Sequence, residues 1–222
     1  MRQDEEVTAT RAQLVHALLG RYPSTFAEDV GIHRLDRPAP LFRLLVLALL
    51  MSARIRASVA SAAARALFEQ GLATPARMAA ATWEERTRIL NGAGYARYDE
   101  RTSRMLAATA DLVLERYRGD LRRLRDAADG DPTAERVLLK ECKGIGDVGA
   151  DIFFREVQVA WPELYPFADA RALGAAERLG LGSSAAALAR LAQGRDFAIL
   201  VDALVRVGLD HAEDDILAAA EG

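Results

Sequence analysis

The segment with the densest chemical signal is Leu138-Leu139-Lys140-Glu141-Cys142-Lys143-Gly144-Ile145-Gly146-Asp147-Val148. Two glycines flank one hydrophobe, Ile145, between a helix expected to end near Cys142 and another expected to begin within four residues. Glycine on both sides lets such a turn take positive φ and lets its backbone approach a partner closely. Its N–H groups, beside the N-terminus of the next helix, point outward at an anion. That is a phosphate site needing little basic side-chain charge. The same residues also suit an ordinary turn between helices closed by a glycine cap. Lys143 adds a cation at the turn, and the arginines are segregated along the chain. Arg37, Arg43, Arg54, Arg56 and Arg65 lie in a stretch, 37–68, that contains no acidic residue. Arg97, Arg101, Arg104, Arg116, Arg118, Arg122, Arg123 and Arg125 form a second group diluted by acids, and Glu213, Asp214 and Asp215 make the tail acidic. Such segregation builds one basic face on a near-neutral protein; solvated helix faces account for the same pattern.

The elements that must position these groups read as helices. The chain has 222 residues, a formal net charge of −3, 51% hydrophobic residues and only 6% aromatics. Its abundant alanine, leucine and arginine favour an all-α fold, in one or two compact domains. Helices are expected over 8–22, 41–52, 57–70, 75–80, 83–90, 100–117, 121–128, 134–141, 148–161, 170–179, 185–191, 195–207 and 211–220. No stretch alternates with period two. The 41–52 helix is apolar nearly all round and should be central and buried, whereas 28–40, with Pro38 and Pro40, reads as a connector. The single cysteine, Cys142, excludes an internal disulfide framework and a four-cysteine zinc or iron–sulfur site, and it reads as a small buried hydrophobe. His16, His33 and His211 lack ligand spacing. The start, 1–7, is acidic and polar, unlike a signal peptide, and the longest apolar run, 44–51, falls far short of the ~20 residues of a membrane span. A soluble protein of a reducing, cytoplasmic compartment is expected, associated with the nucleoid in a bacterium.

The hairpin, together with Tyr165-Pro166-Phe167-Ala168-Asp169-Ala170-Arg171-Ala172-Leu173-Gly174, resembles the helix-hairpin-helix, Gly/Pro–Asp (HhH-GPD) superfamily of base-excision DNA glycosylases, with endonuclease III the closest type. Leu49-Leu50-Met51-Ser52-Ala53-Arg54 is similar to that family's Leu-Leu-Ser-Ala-Gln segment. Asn91-Gly92-Ala93-Gly94-Tyr95-Ala96-Arg97-Tyr98 is similar to its loop before a long helix. Together these cover about 41–181, with order and spacing in agreement.

The resemblance implies a two-domain, all-α fold with an interdomain cleft: a six-helix domain over 39–160, and a second domain from 1–38 plus 161–222. Asp169 corresponds to the family's catalytic aspartate, which stabilises positive charge on the deoxyribose as the N-glycosidic bond breaks and assists the attacking water. An N-cap for the helix starting at Ala170 is the other role its position allows, and the two are compatible. The partner implied is double-stranded DNA containing a damaged base, bound by a monomer, with no membrane involved. The target base must leave the duplex and the hole must be filled. Arg54 stands at the family's glutamine wedge and Tyr95 at its leucine wedge; phosphate contact and core packing are the respective alternatives. Gly144, Ile145, Gly146, Lys143, Arg97 and Arg101 are the remaining candidate DNA contacts. A monovalent cation at the hairpin is also implied.

Two departures narrow the expectation. Bifunctional members carry a lysine early in the second hairpin helix, where this chain has Val148; its only lysines are Lys140 and Lys143. Without a nucleophilic amine at that place, the expected activity is monofunctional hydrolysis, AP-lyase activity being weak or absent. The four cysteines near the C-terminus of endonuclease III are missing too, so no iron–sulfur cluster is expected. Packing through Phe197, Ile199, Leu200, Leu204 and Val205 must hold that end. An oxidised pyrimidine is the favoured substrate; mismatched uracil or thymine and alkylated purines stay open. The alternative is a catalytically silent helix-hairpin-helix protein binding damaged or abasic DNA. A helical interaction module with no DNA role draws only on the negative net charge.

Overall fold

The computed structural model describes residues 9–221; the acidic stretch 1–7 lies outside them. The helices run in the order α1 (Arg11–Arg21), α2 (Phe26–Asp29), α3 (Pro38–Met51), α4 (Ala57–Glu69), α5 (Pro75–Ala80), α6 (Trp83–Gly92) and α7 (Asp99–Tyr117). They continue with α8 (Arg122–Ala127), α9 (Pro132–Lys140), α10 (Asp147–Val157), a 3-10 turn Pro162–Leu164, α11 (Ala170–Arg178), α12 (Ala185–Leu188), α13 (Gly194–Asp210) and α14 (Glu213–Glu221). No strand occurs among the described residues, so the fold is all-α.

The chain divides into two compact units: Phe26–Tyr165, and the chain up to Thr25 joined by the chain from Pro166 onward. In the first, α3 is the hub. Leu41, Phe42 and every residue from Leu44 to Leu50 are buried, and α4, α7 and α10 pack around it. A helix apolar on all sides survives only when covered on all sides. Pro38 and Pro40 do not form the expected connector; Pro38 is the first residue of α3 and Pro40 its third. The first-turn amides of a helix have no intrahelical acceptor, so proline costs nothing there and presets φ.

The segment 26–37, expected in the second domain, lies in the larger unit and is fastened to it. The Ala27 amide donates to Glu156 at 3.3 Å, the Arg43 guanidinium to the Val30 and Gly31 carbonyls, and Arg65 to that of Asp29. Trp161 stays with this unit as well, its ring edge-to-face with Phe153 at 5.6 Å. A buried arginine, Arg86, ties α5 and α6 to α7: its donors reach the Ser103 carbonyl at 3.1 Å, the Met78 carbonyl at 2.9 Å and the Ala81 carbonyl.

In the other unit α1 opens with a capping box, Thr10 and Gln13 satisfying each other's backbone amides. It packs on α13 and α14. Small residues on α11, Ala172, Ala175 and Ala176, let α13 come close. Phe197, Ile199, Leu200, Leu204 and Val205 are all buried on α13, the packing role expected of them.

Candidate nucleic-acid interface and catalytic carboxylate

The hairpin between α9 and α10 is built by local rules and braced by α3 and α7. Ile145 donates its amide to the Cys142 carbonyl at 3.0 Å, closing the turn. Gly144 sits at φ +95°, and a Cβ there would lie 2.9 Å from Met105 Sδ on α7 and 3.4 Å from Leu49 on α3. Glycine is therefore required by both dihedral and space. Thr109 on α7 donates its hydroxyl to the Lys143 carbonyl at 2.9 Å. Ile145 is buried over Gly149, where a Cβ would meet it at 3.2 Å; Ile145 is thus the turn's anchor.

Gly146 does not share the positive φ of Gly144. It is extended, at φ −105°, and forms the N-cap of α10 without any side chain to bind the first-turn amides. Those amides are left for an outside acceptor. A Cβ at Gly146 would meet nothing within 4 Å, so the approach is open. Lys143 is exposed beside it. Asp147 places a carboxylate at the first position of α10, but Lys140 engages it at 2.6 Å and holds it below the usual carboxylate range. Val148, the second residue of α10, is 44% exposed.

Arg54 lies in the turn between α3 and α4 and Arg97 in the loop between α6 and α7, both exposed. Arg97 stacks over Tyr98 at 5.4 Å; Arg101 is exposed on the first turn of α7. Tyr95 is placed otherwise. It is 0% exposed, and its hydroxyl donates to the Leu50 carbonyl at 3.0 Å. A wedge must present its ring to solvent, so Tyr95 takes the core alternative: it pins the 93–98 loop to the end of α3, next to the turn bearing Arg54.

In the other unit, Asp169 is the N-cap of α11. One oxygen, Oδ1, accepts from the Arg171 amide at 2.9 Å and the Ala172 amide at 3.0 Å. The residue is 7% exposed. The cap role is real, and it fixes the direction of the carboxylate.

Among the described residues no three of His, Cys, Asp and Glu stand together as a metal site. Cys142 is buried, and burial pushes its thiol up to about 12. The residues present do not fit a four-thiolate cluster. No described helix is long and apolar enough to cross a membrane. Sequence reasoning missed Met105, Thr109 and Leu49 as the supports of the hairpin; they reach it from other helices, and the one signal was that the apolar 41–52 helix had to be covered on all sides.

No protein-family model matches the chain, and no curated protein matches it. Solved structures do. A non-covalent endonuclease III–DNA complex aligns over 96% of this chain and 97% of that one, with a TM-score of 0.55 and 17% identity. A trapped endonuclease III–DNA covalent intermediate, an estranged-adenine complex, aligns over 89% and 85%, with a TM-score of 0.50 and 18% identity. The chain has an endonuclease III-like fold.

Proposed function

We propose that this chain is a DNA glycosylase of base-excision repair that hydrolyses the N-glycosidic bond of a damaged or mismatched base. The observation that carries the reading is the alignment with endonuclease III bound to DNA over nearly the full length of both chains. Within that fold the hairpin offers uncapped amides and Asp169 a carboxylate held in one direction.

In the proposed mechanism the amides at Gly146 and the first turn of α10 hold a backbone phosphate, with Lys143 beside them. The damaged nucleotide is turned out of the stack, and Arg54 fills the vacated place and bonds the orphaned base. As the bond from C1′ to the base nitrogen lengthens, positive charge spreads over C1′ and the ring oxygen, and the Asp169 carboxylate stabilises it. Water adds at C1′ and gives its proton toward Asp169, while the base leaves with the bonding pair. An intact abasic site remains. Val148 supplies no amine for a Schiff base, so the strand is not cut. An oxidised pyrimidine is the proposed substrate.

The test is single-turnover reaction with duplexes bearing thymine glycol, uracil, a G:T mismatch, 3-methyladenine or 8-oxoguanine, with and without alkali. Breaks appearing only after alkali, and falling by ~10²-fold or more in Asp169→Asn, support the proposal. Asparagine keeps the cap, so folding is retained. Breaks without alkali would refute monofunctional action. Tight binding to abasic DNA without product from any duplex would favour the silent sensor.

A further inference from the structure

Glu135, on α9, is the most anomalous ionisable group of the larger unit. It is 0% exposed, and neither carboxyl oxygen meets a donor. An ionised carboxylate cannot be buried without donors at tolerable cost; such a group takes up a proton instead. Its neighbour is another carboxyl, that of Glu163. Glu163 is in turn gripped by Arg125 of α8 through two donors, Nη2 to Oε2 at 2.6 Å and Nε to Oε1. The Arg125 guanidinium lies 5.9 Å from the Trp161 ring centroid, so an aromatic face borders the cluster.

We propose that Glu135 keeps its proton in the folded protein and donates it to Glu163, so that Arg125, Glu163 and Glu135 form one neutral clamp holding the turn Pro162–Leu164 on α8 and α9. A carboxyl that is buried without a donor and faces an ionised carboxylate stays neutral, so the pair carries one negative charge, not two. The other charges around the pair are accounted for. Asp131 at the start of α9 raises Glu135 further, and Asp126 lies near Arg125. On α10, Asp147 and Asp151 are engaged by Lys140 and Arg136. Burial first, and the facing Glu163 second, push Glu135 up to about 8. Burial also raises Glu163, but the hydrogen bonds it accepts from Arg125, from the backbone and from Glu135 together hold that carboxyl below its usual range.

The clamp grips the connection that leads from α10 to Asp169, on the larger unit's side. Above the Glu135 midpoint the pair becomes doubly charged around one arginine, and the turn loses its hold. Because the folded state keeps a proton that the unfolded chain releases near 4.5, this contribution is present at acid pH and lost as pH rises toward about 8. The claim concerns protonation and anchoring, and stands whether or not the chain is a glycosylase.

The test is carboxyl titration by NMR of protein labelled at glutamate side-chain carbons, beside denaturant unfolding across about pH 5 to pH 9. One glutamate should titrate near pH 8 in the wild type and be missing from Glu135→Gln, whose amide can donate to Glu163 without titrating. The wild-type folding constant should fall relative to that variant by on the order of 10²- to 10³-fold over this range. In Glu163→Gln, Arg125 becomes available to Glu135, whose midpoint should drop below neutrality. No glutamate titrating above about pH 6 in the wild type, parallel stability curves, or an unchanged midpoint in Glu163→Gln would overturn the proposal.

Discussion

Gly144 and Gly146 look equivalent in the sequence, but the structure gives them different work, and alanine at each should separate fold from binding. At Gly144 the alanine would inherit φ +95°, a conformation costing an L residue roughly 1–2 kcal/mol. Its methyl would stand 2.9 Å from Met105 Sδ, which can swing aside, and 3.4 Å from both Cγ and Cδ1 of Leu49, which is packed in the hub helix. Moderate overpacking adds about 1 kcal/mol. Gly144→Ala should therefore lose about 2–3 kcal/mol, lowering Tm by roughly 5–10 °C for a chain of this size. At Gly146, with negative φ and open space, alanine should cost no more than about 1 kcal/mol, the difference between glycine and alanine at a helix N-cap. There the methyl intrudes on the approach to the uncapped amides, and duplex affinity should fall about tenfold, some 1.4 kcal/mol. Urea unfolding followed by circular dichroism, and fluorescence anisotropy with a labelled duplex, read the two effects. A Gly144→Ala protein as stable as wild type would refute the steric argument. A stable Gly146→Ala protein with undiminished affinity would refute the phosphate site.

Three further outcomes are expected. Alanine at Arg54, Arg97 or Lys143, all exposed, should each reduce the slope of log K against log salt by about 0.9 if the side chain neutralises a phosphate, measured by anisotropy between low and moderate salt. Val148→Lys restores an amine at an exposed position just past the hairpin, and should convert alkali-dependent breaks into direct ones, with a covalent adduct trapped by borohydride. Arg86→Leu should destabilise by about 3–5 kcal/mol in denaturant unfolding, because three carbonyls lose their donor at once; Arg86→Lys should recover part of this, since one ammonium cannot span them.

Features that depend on near neighbours along the chain are legible in the primary structure. The all-α class follows from composition, and the buried hub follows from an apolar run with no polar face. The turn at Gly144 and the cap at Asp169 rest on contacts within three residues: Ile145 to Cys142, and Asp169 to Arg171 and Ala172. Even a local rule misleads when its position is ambiguous, as with Pro38 and Pro40, which can break a helix or begin one. The tertiary structure alone decided which side chains are covered. Tyr95 is a core residue because Leu50, 45 positions earlier, offers its carbonyl. Gly144 is irreplaceable because Met105 and Leu49 arrive from other helices. Glu135 and Glu163 are 28 positions apart and pass for surface acids until folding buries Glu135 and brings Glu163 to Arg125. Burial and charge pairing are set by elements distant in sequence, and no local spacing encodes them.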